Sequence, residues 1–287
     1  MCYREERIMN ENNIINIENY GFKASINPKD VSGIPARIIA VHREHFEFIC
    51  ERGSGFAHLK ASEYHVGNEV FPTTGDFVMI DWQDQGESRI IKTLPRKTFF
   101  SRRDPSSSGH GEQAVAANFD FVFIMQSLDR DFNIRRLERY LTLSWQSGAI
   151  PVIILTKADL LEDHAMQRHT VENLAIGVEV FAVSATTGEG LEQLNEYLQP
   201  GKTIVFLGSS GVGKSTLVNT LAGEDIMQTK DVREKDGRGR HATTHRQLIL
   251  LKSGVLIIDT PGMRELGMWD VTEGLGQSFT DVERYFG

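Results

Sequence analysis

The chain has 287 residues, a formal net charge of −8, and 40% hydrophobic and 24% charged residues, an ordinary composition for a globular protein. This length suffices for two compact domains, and the acidic balance argues against a globally basic nucleic-acid binder, although local basic patches remain compatible with it. The two cysteines, Cys2 and Cys50, are too few for a disulfide framework or a four-cysteine zinc site. Since the sequence also lacks a long apolar segment and a signal-peptide core, we expect a cytoplasmic protein with no membrane partner. We expect it to act as a monomer.

The first 103 residues predict a polar arm followed by an all-β barrel. Residues 1–28 are polar, with an Asn-rich run from Asn10 to Asn19, which indicates a mobile arm or a poorly anchored helix. Residues 29–103 contain short β-rich runs separated by Gly and Pro, and an OB-fold is the natural candidate. OB-folds often bind nucleic acid, but a barrel used for packing or protein contacts stays an alternative. The predicted strands are Ala36 to Val41, Phe46 to Cys50, Phe77 to Asp81 and Arg89 to Thr93.

The end of this region is basic, with two phenylalanines between the cations of Arg96 to Arg103. Such a stretch fits RNA, with cations on phosphates and an aromatic ring against a base. It equally fits an interdomain segment whose phenylalanines are buried. Residues 104–111, rich in Ser and Gly, indicate a flexible linker.

Residues 112–270 predict an α/β domain with a mostly parallel, helix-covered sheet, because apolar runs alternate with helical patterns. The first strand is expected at Asp120 to Met125, and a helix from about Asn133 to Ser147. The apolar stripe of this helix is expected at Ile134, Leu137, Leu141 and Trp145.

An [NT]-K-x-D pattern, Thr156, Lys157, Ala158 and Asp159, follows the apolar run that begins at Pro151. An ionised Asp only accepts hydrogen bonds, and guanine offers it two adjacent donors that adenine lacks, so Asp159 indicates guanine recognition. The alternative is a loop that caps a helix beginning near Leu160. After the next strand-like run come Ser184 and Ala185, and the Ala185 N–H is a candidate donor to the guanine carbonyl.

A phosphate-loop pattern, G-x-x-x-x-G-K-[ST], lies between an apolar run at residues 203–207 and a helical run that opens near Thr216. In this context the backbone N–H groups and the helix N-terminus would point at a phosphate chain. Lys214 would reach the outer phosphates and the Ser215 hydroxyl would bind Mg²⁺, whereas the alternative is a plain glycine-rich turn. The loop comprises Gly208, Ser209, Ser210, Gly211, Val212, Gly213, Lys214 and Ser215.

Two later segments fit the switches of a GTPase. A polar loop at residues 230–246 contains Thr243 and Thr244, either of which could supply a hydroxyl to Mg²⁺. Asp259 opens a D-x-x-G pattern and would hold the Mg²⁺ shell, and the Gly262 N–H would contact the γ-phosphate. Many GTPases place a water-orienting Gln after that glycine, but this chain has Met263 there, so His241 becomes the candidate for positioning the water.

The order of these motifs is unusual, because the base-reading segment precedes the phosphate loop. The sequence therefore predicts a circularly permuted P-loop GTPase domain preceded by an OB-fold barrel. Taken together, these segments resemble the RsgA family of circularly permuted GTPases over residues 29–287. Residues 94–96, 113–120, 132–141 and 239–244 share in the match.

The resemblance implies GTP, GDP and Mg²⁺ as ligands, and the maturing small ribosomal subunit and its rRNA as partners. It implies hydrolysis stimulated by that subunit, a late checkpoint role in its assembly, and release of another assembly factor. It further implies a C-terminal zinc module, of which residues 271–287 would be the start. The expected zinc ligands are absent from this chain, so we expect Zn²⁺ only in a missing module and interpret the chain as truncated. The family often has three threonines after His241, whereas the first is Ala242 here.

Three other functions are alternatives. The chain could be a GTP-gated RNA- or ribosome-binding module in which hydrolysis is incidental. It could be a P-loop ATPase or kinase, which Asp159 argues against. It could act on the large subunit, against which only the OB-like N-terminus argues.

Overall fold

A single network of strands runs through the computed structural model, which describes residues 15–26, 31–42, 45–59, 70–103, 112–227 and 246–259. Within these residues, eleven of the strands form one sheet and two form a separate hairpin. The strands are β1 (Ile34–Val41), β2 (Phe46–Cys50), β3 (Gly53–Leu59), β4 (Phe77–Asp81), β5 (Ser88–Thr93), β6 (Phe99–Arg103), β7 (Glu112–Ala117), β8 (Phe121–Ser127), β9 (Ile150–Thr156), β10 (Val180–Val183), β11 (Thr203–Gly208), β12 (Gln247–Leu250) and β13 (Leu256–Asp259). The α-helices are α1 (Ile134–Gln146), α2 (Ala165–Leu174) and α3 (Lys214–Ala222), and 3₁₀-helices lie at Ile17–Tyr20, Ala24–Ile26, Ala158–Leu160 and Leu191–Glu196.

The five N-terminal strands close into a barrel in the order β1–β2–β3–β5–β4, with β4 pairing back onto β1. Alternate side chains point inward, and those of Ile38, Phe48 and Ile80 are fully buried in its core. The barrel confirms the predicted OB-like fold. Strand β3 was not predicted, because Gly53 and Gly55 resemble turn signals; pairing with β2 overrides their weak strand preference.

The following sheet has the order β10–β9–β8–β11–β13–β12, in which every pairing is parallel except that of β12 with β13. Its first strand along the chain, β8, lies between β9 and β11 and not at an edge. Apolar clusters cover both faces, as expected for a sheet of buried strands. The permuted α/β fold is thus confirmed.

The buried stripe of α1 differs from the prediction at one position. Leu137, Tyr140 and Leu141 are buried together with Ser144, whereas Trp145 is 56% exposed. At 100° per residue, Trp145 lies about 80° around the helix axis from Leu137, and Ser144 only about 20° away. Helix phase therefore places the serine, and not the tryptophan, over the sheet.

Residues 15–26 of the expected arm pack against the barrel. The Phe22 ring is buried and meets Phe77 edge-on at 5.5 Å, and the Ile15 N–H donates to the Glu51 carbonyl at 3.2 Å. Apolar residues of the arm anchor it to the barrel. The polar composition of the arm as a whole did not predict this packing. The rest of the arm, residues 1–14 and 27–28, lies outside the described residues, and the domain boundaries stay predictions.

The barrel and the α/β sheet are joined through β1, which pairs with β12 at Ala40 and Gln247. Arg37 on β1 is fully buried at this junction. Its guanidinium donates to the carbonyls of Gly75, at 3.3 Å, and Asn118, at 2.8 Å, and to that of Tyr20. Burial lowers the pKa of Arg37 to about 10, partly offset by the Asp120 and Asp76 carboxylates, so it stays charged at neutral pH.

The junction is closely packed at the turn that precedes β4. Gly75 has a φ of +93°, and a Cβ there would lie 2.1 Å from the Ala117 carbonyl oxygen, so only glycine fits. The Asp76 carboxylate beside it is fully buried and accepts hydrogen bonds from the Arg96 Nε, at 2.9 Å, and the Arg96 Nη2, at 2.7 Å. This bidentate pair fixes the turn against the α/β domain.

The basic segment at residues 96–103 therefore has a partly structural role. The Arg96 side chain is committed to Asp76, and Thr98 and Phe100 are buried. Phe100 stacks on Phe119 with ring centroids 4.8 Å apart, whereas Phe99 is 41% exposed. For these residues the interdomain interpretation holds, and β6 pairs with β7 and not with the barrel.

Replacing Asp76 should strongly destabilise the protein. Asp76→Ala leaves the fully buried Arg37 guanidinium and the partly buried Arg96 guanidinium without the carboxylate between them, and removing one partner of a buried ion pair typically costs about 3–5 kcal/mol. Urea unfolding would measure the loss. Glu224→Ala, which removes an exposed pair with Lys252, is the control and should change the free energy of unfolding by less than about 1 kcal/mol. Equal losses in the two variants would contradict a stabilising junction.

Candidate functional site

The base-reading segment, the Ser184–Ala185 segment, the phosphate loop and Asp259 lie at one edge of the α/β sheet. The parallel strands β9, β10 and β11 end at Thr156, Val183 and Gly208, and β13 ends at Asp259. Because the carboxyl ends of parallel strands lie at the same edge, the loops that follow them surround one crevice. The motifs are separated along the chain but adjacent in space.

The phosphate-loop segment connects β11 to α3. Gly213 caps α3 with a φ of +100°, a left-handed conformation that glycine adopts without strain. Val212 is buried, and Ser210 and Gly211 form the exposed tip of the loop. The Lys214 ammonium contacts the Asp259 carboxylate, with Nζ 2.6 Å from Oδ1. A strand, a tight loop and a helix therefore present backbone N–H groups at the crevice, as an anion site needs.

The base-reading segment is bonded directly to the phosphate-loop segment. The buried Thr156 hydroxyl donates to the Val212 carbonyl at 2.6 Å. This bond fixes the distance between the two segments, although 56 residues separate them along the chain.

An open cleft is lined by residues of both segments. Asp159 of the base-reading segment and Gly213 of the phosphate loop both line this cleft, as does Thr216 of α3. A nucleotide could therefore touch the carboxylate and the phosphate loop simultaneously. The lining residues are Thr156, Lys157, Asp159, Leu160, Val183, Ala185, Thr186, Gly213, Thr216 and Leu217.

The Ser184–Ala185 segment follows β10 and forms a wall of the cleft. Ser184 is fully buried, its N–H donates to the Glu189 carbonyl at 2.9 Å, and its hydroxyl accepts the Thr187 N–H at 3.2 Å. The Ala185 carbonyl accepts a hydrogen bond from the Thr220 hydroxyl of α3 at 3.2 Å. These bonds hold the turn against the helix that begins at the phosphate loop.

Lys157 adopts an uncommon conformation for a residue other than glycine, with a φ of +60°. Its ammonium lies 2.7 Å from Oδ2 of Asp129, in the loop after β8. Burial raises the pKa of the Asp129 carboxyl, but hydrogen bonds from Lys157, the Asp131 N–H and Ser127 outweigh it and lower the pKa to about 2. The carboxylate is therefore ionised, and the ion pair intact, at neutral pH.

Sequence reasoning missed three charged residues at this edge, Asp129, Asp131 and Arg136. The Ser209 hydroxyl donates to Asp131, and Arg136 forms an ion pair with Asp131 at 2.8 Å. The signal was available, because polar residues directly after a parallel strand belong to the same edge as the other loops.

His241, Thr243, Thr244 and Gly262 lie outside the described residues. Ser215 and Asp259 offer the oxygen donors that Mg²⁺ prefers, and Asp259 is close to the phosphate loop through Lys214. Among the described residues, no group of three or more His, Cys, Asp or Glu side chains is arranged to hold a metal.

Among the same residues, no helix has the length and apolar character that crossing a membrane requires.

Known proteins resemble this chain in both sequence and fold. Residues 93–269 match the family model described as RsgA GTPase. Small ribosomal subunit biogenesis GTPase RsgA 1 of Listeria monocytogenes is 44% identical over 270 residues, which are 93% of this chain and 76% of the relative. Small ribosomal subunit biogenesis GTPase RsgA of Methanosarcina acetivorans is 40% identical over 250 residues, 87% and 67% of the two chains.

Two solved structures have the same fold. The crystal structure of YjeQ from Thermotoga maritima matches with a TM-score of 0.59 at 24% identity, covering 80% of this chain and 75% of its own. That of YloQ, a circularly permuted GTPase, matches with a TM-score of 0.55 at 22% identity, covering 83% and 74%. With the family model spanning more than half of the chain, and relatives at 40–44% identity along most of it, this protein belongs to the RsgA family of GTPases.

Proposed function

We propose that this chain hydrolyses GTP, binds the maturing small ribosomal subunit and its rRNA in the cytoplasm, and uses hydrolysis as a late maturation checkpoint. The observation that carries the nucleotide part is the cleft that Asp159 shares with the phosphate loop. The names of the relatives support the subunit as partner.

In this proposal the two ends of the cleft hold the two ends of GTP. Asp159 accepts the two guanine donors, and the Ala185 N–H donates to the guanine carbonyl. The backbone N–H groups of residues 208–216 and the Lys214 ammonium hold the phosphates. Mg²⁺, held by Ser215, Asp259 and Thr243 or Thr244, would supply charge neutralisation at the phosphates.

We further propose that hydrolysis is slow without the subunit. Met263 offers no group to orient the attacking water. His241, as the group that positions the water, and the Gly262 N–H are the proposed contacts near the γ-phosphate, and the subunit would accelerate the reaction. Release of another assembly factor would follow the switch to GDP.

Asp159→Asn should exchange guanine for xanthine specificity. The amide can donate to the 2-oxo group of xanthine, but it places a donor where guanine also donates. Sites of this kind discriminate by up to about 10⁴-fold, so we expect at least a hundredfold loss of GTP affinity and a gain of XTP affinity. Titration calorimetry with both nucleotides would measure the exchange. Glu162→Gln, an exposed neighbour, is the control, and unchanged GTP affinity in Asp159→Asn would contradict guanine reading.

Purified small subunits should accelerate hydrolysis. A group supplied or ordered by a partner raises phosphoryl transfer by several orders of magnitude, so we expect roughly a hundredfold increase or more in the single-turnover rate. Large subunits, and no subunits, provide the two controls. Rapid turnover without any subunit, or equal stimulation by large subunits, would refute the proposed partner or its role.

A further inference from the structure

The loop between β8 and α1, residues 128–133, contacts both ends of the candidate nucleotide site. Its two carboxylates, Asp129 and Asp131, are two residues apart and have different partners. Asp129 binds Lys157 of the base-reading segment, and Asp131 binds Ser209 of the phosphate loop. We refer to residues 128–133 as the β8–α1 loop.

The Asp131 carboxylate is held firmly where it meets the phosphate loop. Arg136 donates to both of its oxygens, from Nη1 at 3.1 Å and from Nη2 at 2.8 Å. The Asp131 carbonyl accepts from Nε2 of Gln126, a buried side chain, at 2.9 Å. Asn133 then caps α1 by accepting the Arg136 N–H at 3.0 Å. Strand β8 and helix α1 together therefore fix the acceptor that Ser209 uses.

The Asp129 carboxylate is held equally well at the other end. Oδ1 accepts from the Ser127 hydroxyl at 2.8 Å and from the Asp131 N–H at 2.9 Å, which leaves Oδ2 for Lys157 at 2.7 Å. A left-handed backbone at a residue such as Lys157 persists only where its surroundings enforce it. The ion pair with Asp129 is one such restraint.

Arg136 makes a carboxylate acceptable beside a phosphate site. An isolated Asp131 would repel the phosphates of a nucleotide, and its acceptor-only oxygens have no favourable contact to make with them. Paired with Arg136, it contributes little net charge and can still accept the Ser209 hydroxyl. Its chemistry therefore fits a residue that acts through the phosphate loop and does not touch the nucleotide.

We propose that the β8–α1 loop is a brace that pre-organises the two ends of the nucleotide site separately. Asp131 is a positioning residue for the phosphate loop, acting through Ser209. Asp129 is a positioning residue for the base-reading segment, acting through Lys157. The proposal deepens the proposed function and rests on GTP binding in this cleft.

Nucleotide titrations of variants of the whole chain test the phosphate end of the brace. Ser209→Ala and Asp131→Ala should each weaken GTP and GDP binding about tenfold, the scale of one hydrogen bond to a charged group. Because the two residues act through one bond, the double variant should bind no more weakly than Asp131→Ala alone. Asp131→Asn keeps an acceptor for Ser209 and should lose less affinity than Asp131→Ala. The ratio of GTP to ITP affinity should not change in these variants.

At the base end, by contrast, the ratio of GTP to ITP affinity should change. ITP lacks the 2-amino group of GTP, so Asp129→Ala should lower the ratio of GTP to ITP affinity several-fold. Glu172→Gln is the control, because it breaks an exposed carboxylate–arginine pair with Arg168 on α2. Thermal unfolding of each variant identifies losses that arise from misfolding, and Ser209→Ala, which removes only one hydroxyl, keeps the test valid if Asp131→Ala unfolds.

The outcomes distinguish a failure of the brace proposal from a failure of the proposed function. Additive losses for Ser209→Ala and Asp131→Ala, or unchanged nucleotide affinity in both variants, would overturn the brace. In either case, normal GTP binding by the wild-type chain would leave the proposed function intact. An unchanged GTP to ITP ratio in Asp129→Ala would overturn its base end. Wild-type chain that binds no GTP would overturn the proposed function, and the brace with it.

Discussion

The phosphate loop of this protein is held in place by side chains from elsewhere in the chain. Thr156 bonds to the Val212 carbonyl, Asp131 accepts the Ser209 hydroxyl, and Asp259 pairs with Lys214. Each partner stands at or just after the end of a parallel strand. The parallel sheet is therefore the constraint on which the site depends, since it brings four strand ends to one edge.

Circular permutation leaves this constraint untouched. Strand β8 is the first strand of this sheet along the chain, yet it lies inside the sheet between β9 and β11. The contacts around the cleft depend on which strands are neighbours in the sheet and not on the order of those strands along the chain. Permutation does change what is attached to the sheet. Here the barrel adds to it through β1 and β12, and the Thr74 hydroxyl donates to the Arg246 carbonyl at 3.3 Å, next to the start of β12.

The junction at Asp76 and the site share a physical strategy. In both, a carboxylate is paired with a cation and also accepts a backbone N–H, which fixes a turn; the carboxylate is fully buried at Asp76 and partly exposed at Asp129. Asp76 accepts the Thr73 N–H while bound to Arg96, and Asp129 accepts the Asp131 N–H while bound to Lys157. A carboxylate with limited access to water stabilises a turn only when it is well paired, and in both cases the cation comes from a different segment of the chain.

Local patterns in the sequence were sufficient for the motifs, the fold class, most strands and the permuted order, because phosphate loops and buried strands have short-range signatures. They failed where a distant neighbour decides the outcome. Gly53 and Gly55 lie in a strand because β2 pairs with it, and Trp145 is exposed because the sheet packs against the face of α1 that carries Ser144. The Asp131–Ser209 and Asp129–Lys157 contacts join residues tens of positions apart. Their positions after parallel strands predict that they share an edge of the sheet, but only the tertiary structure shows which side chains pair there, since no periodicity or spacing encodes the partners.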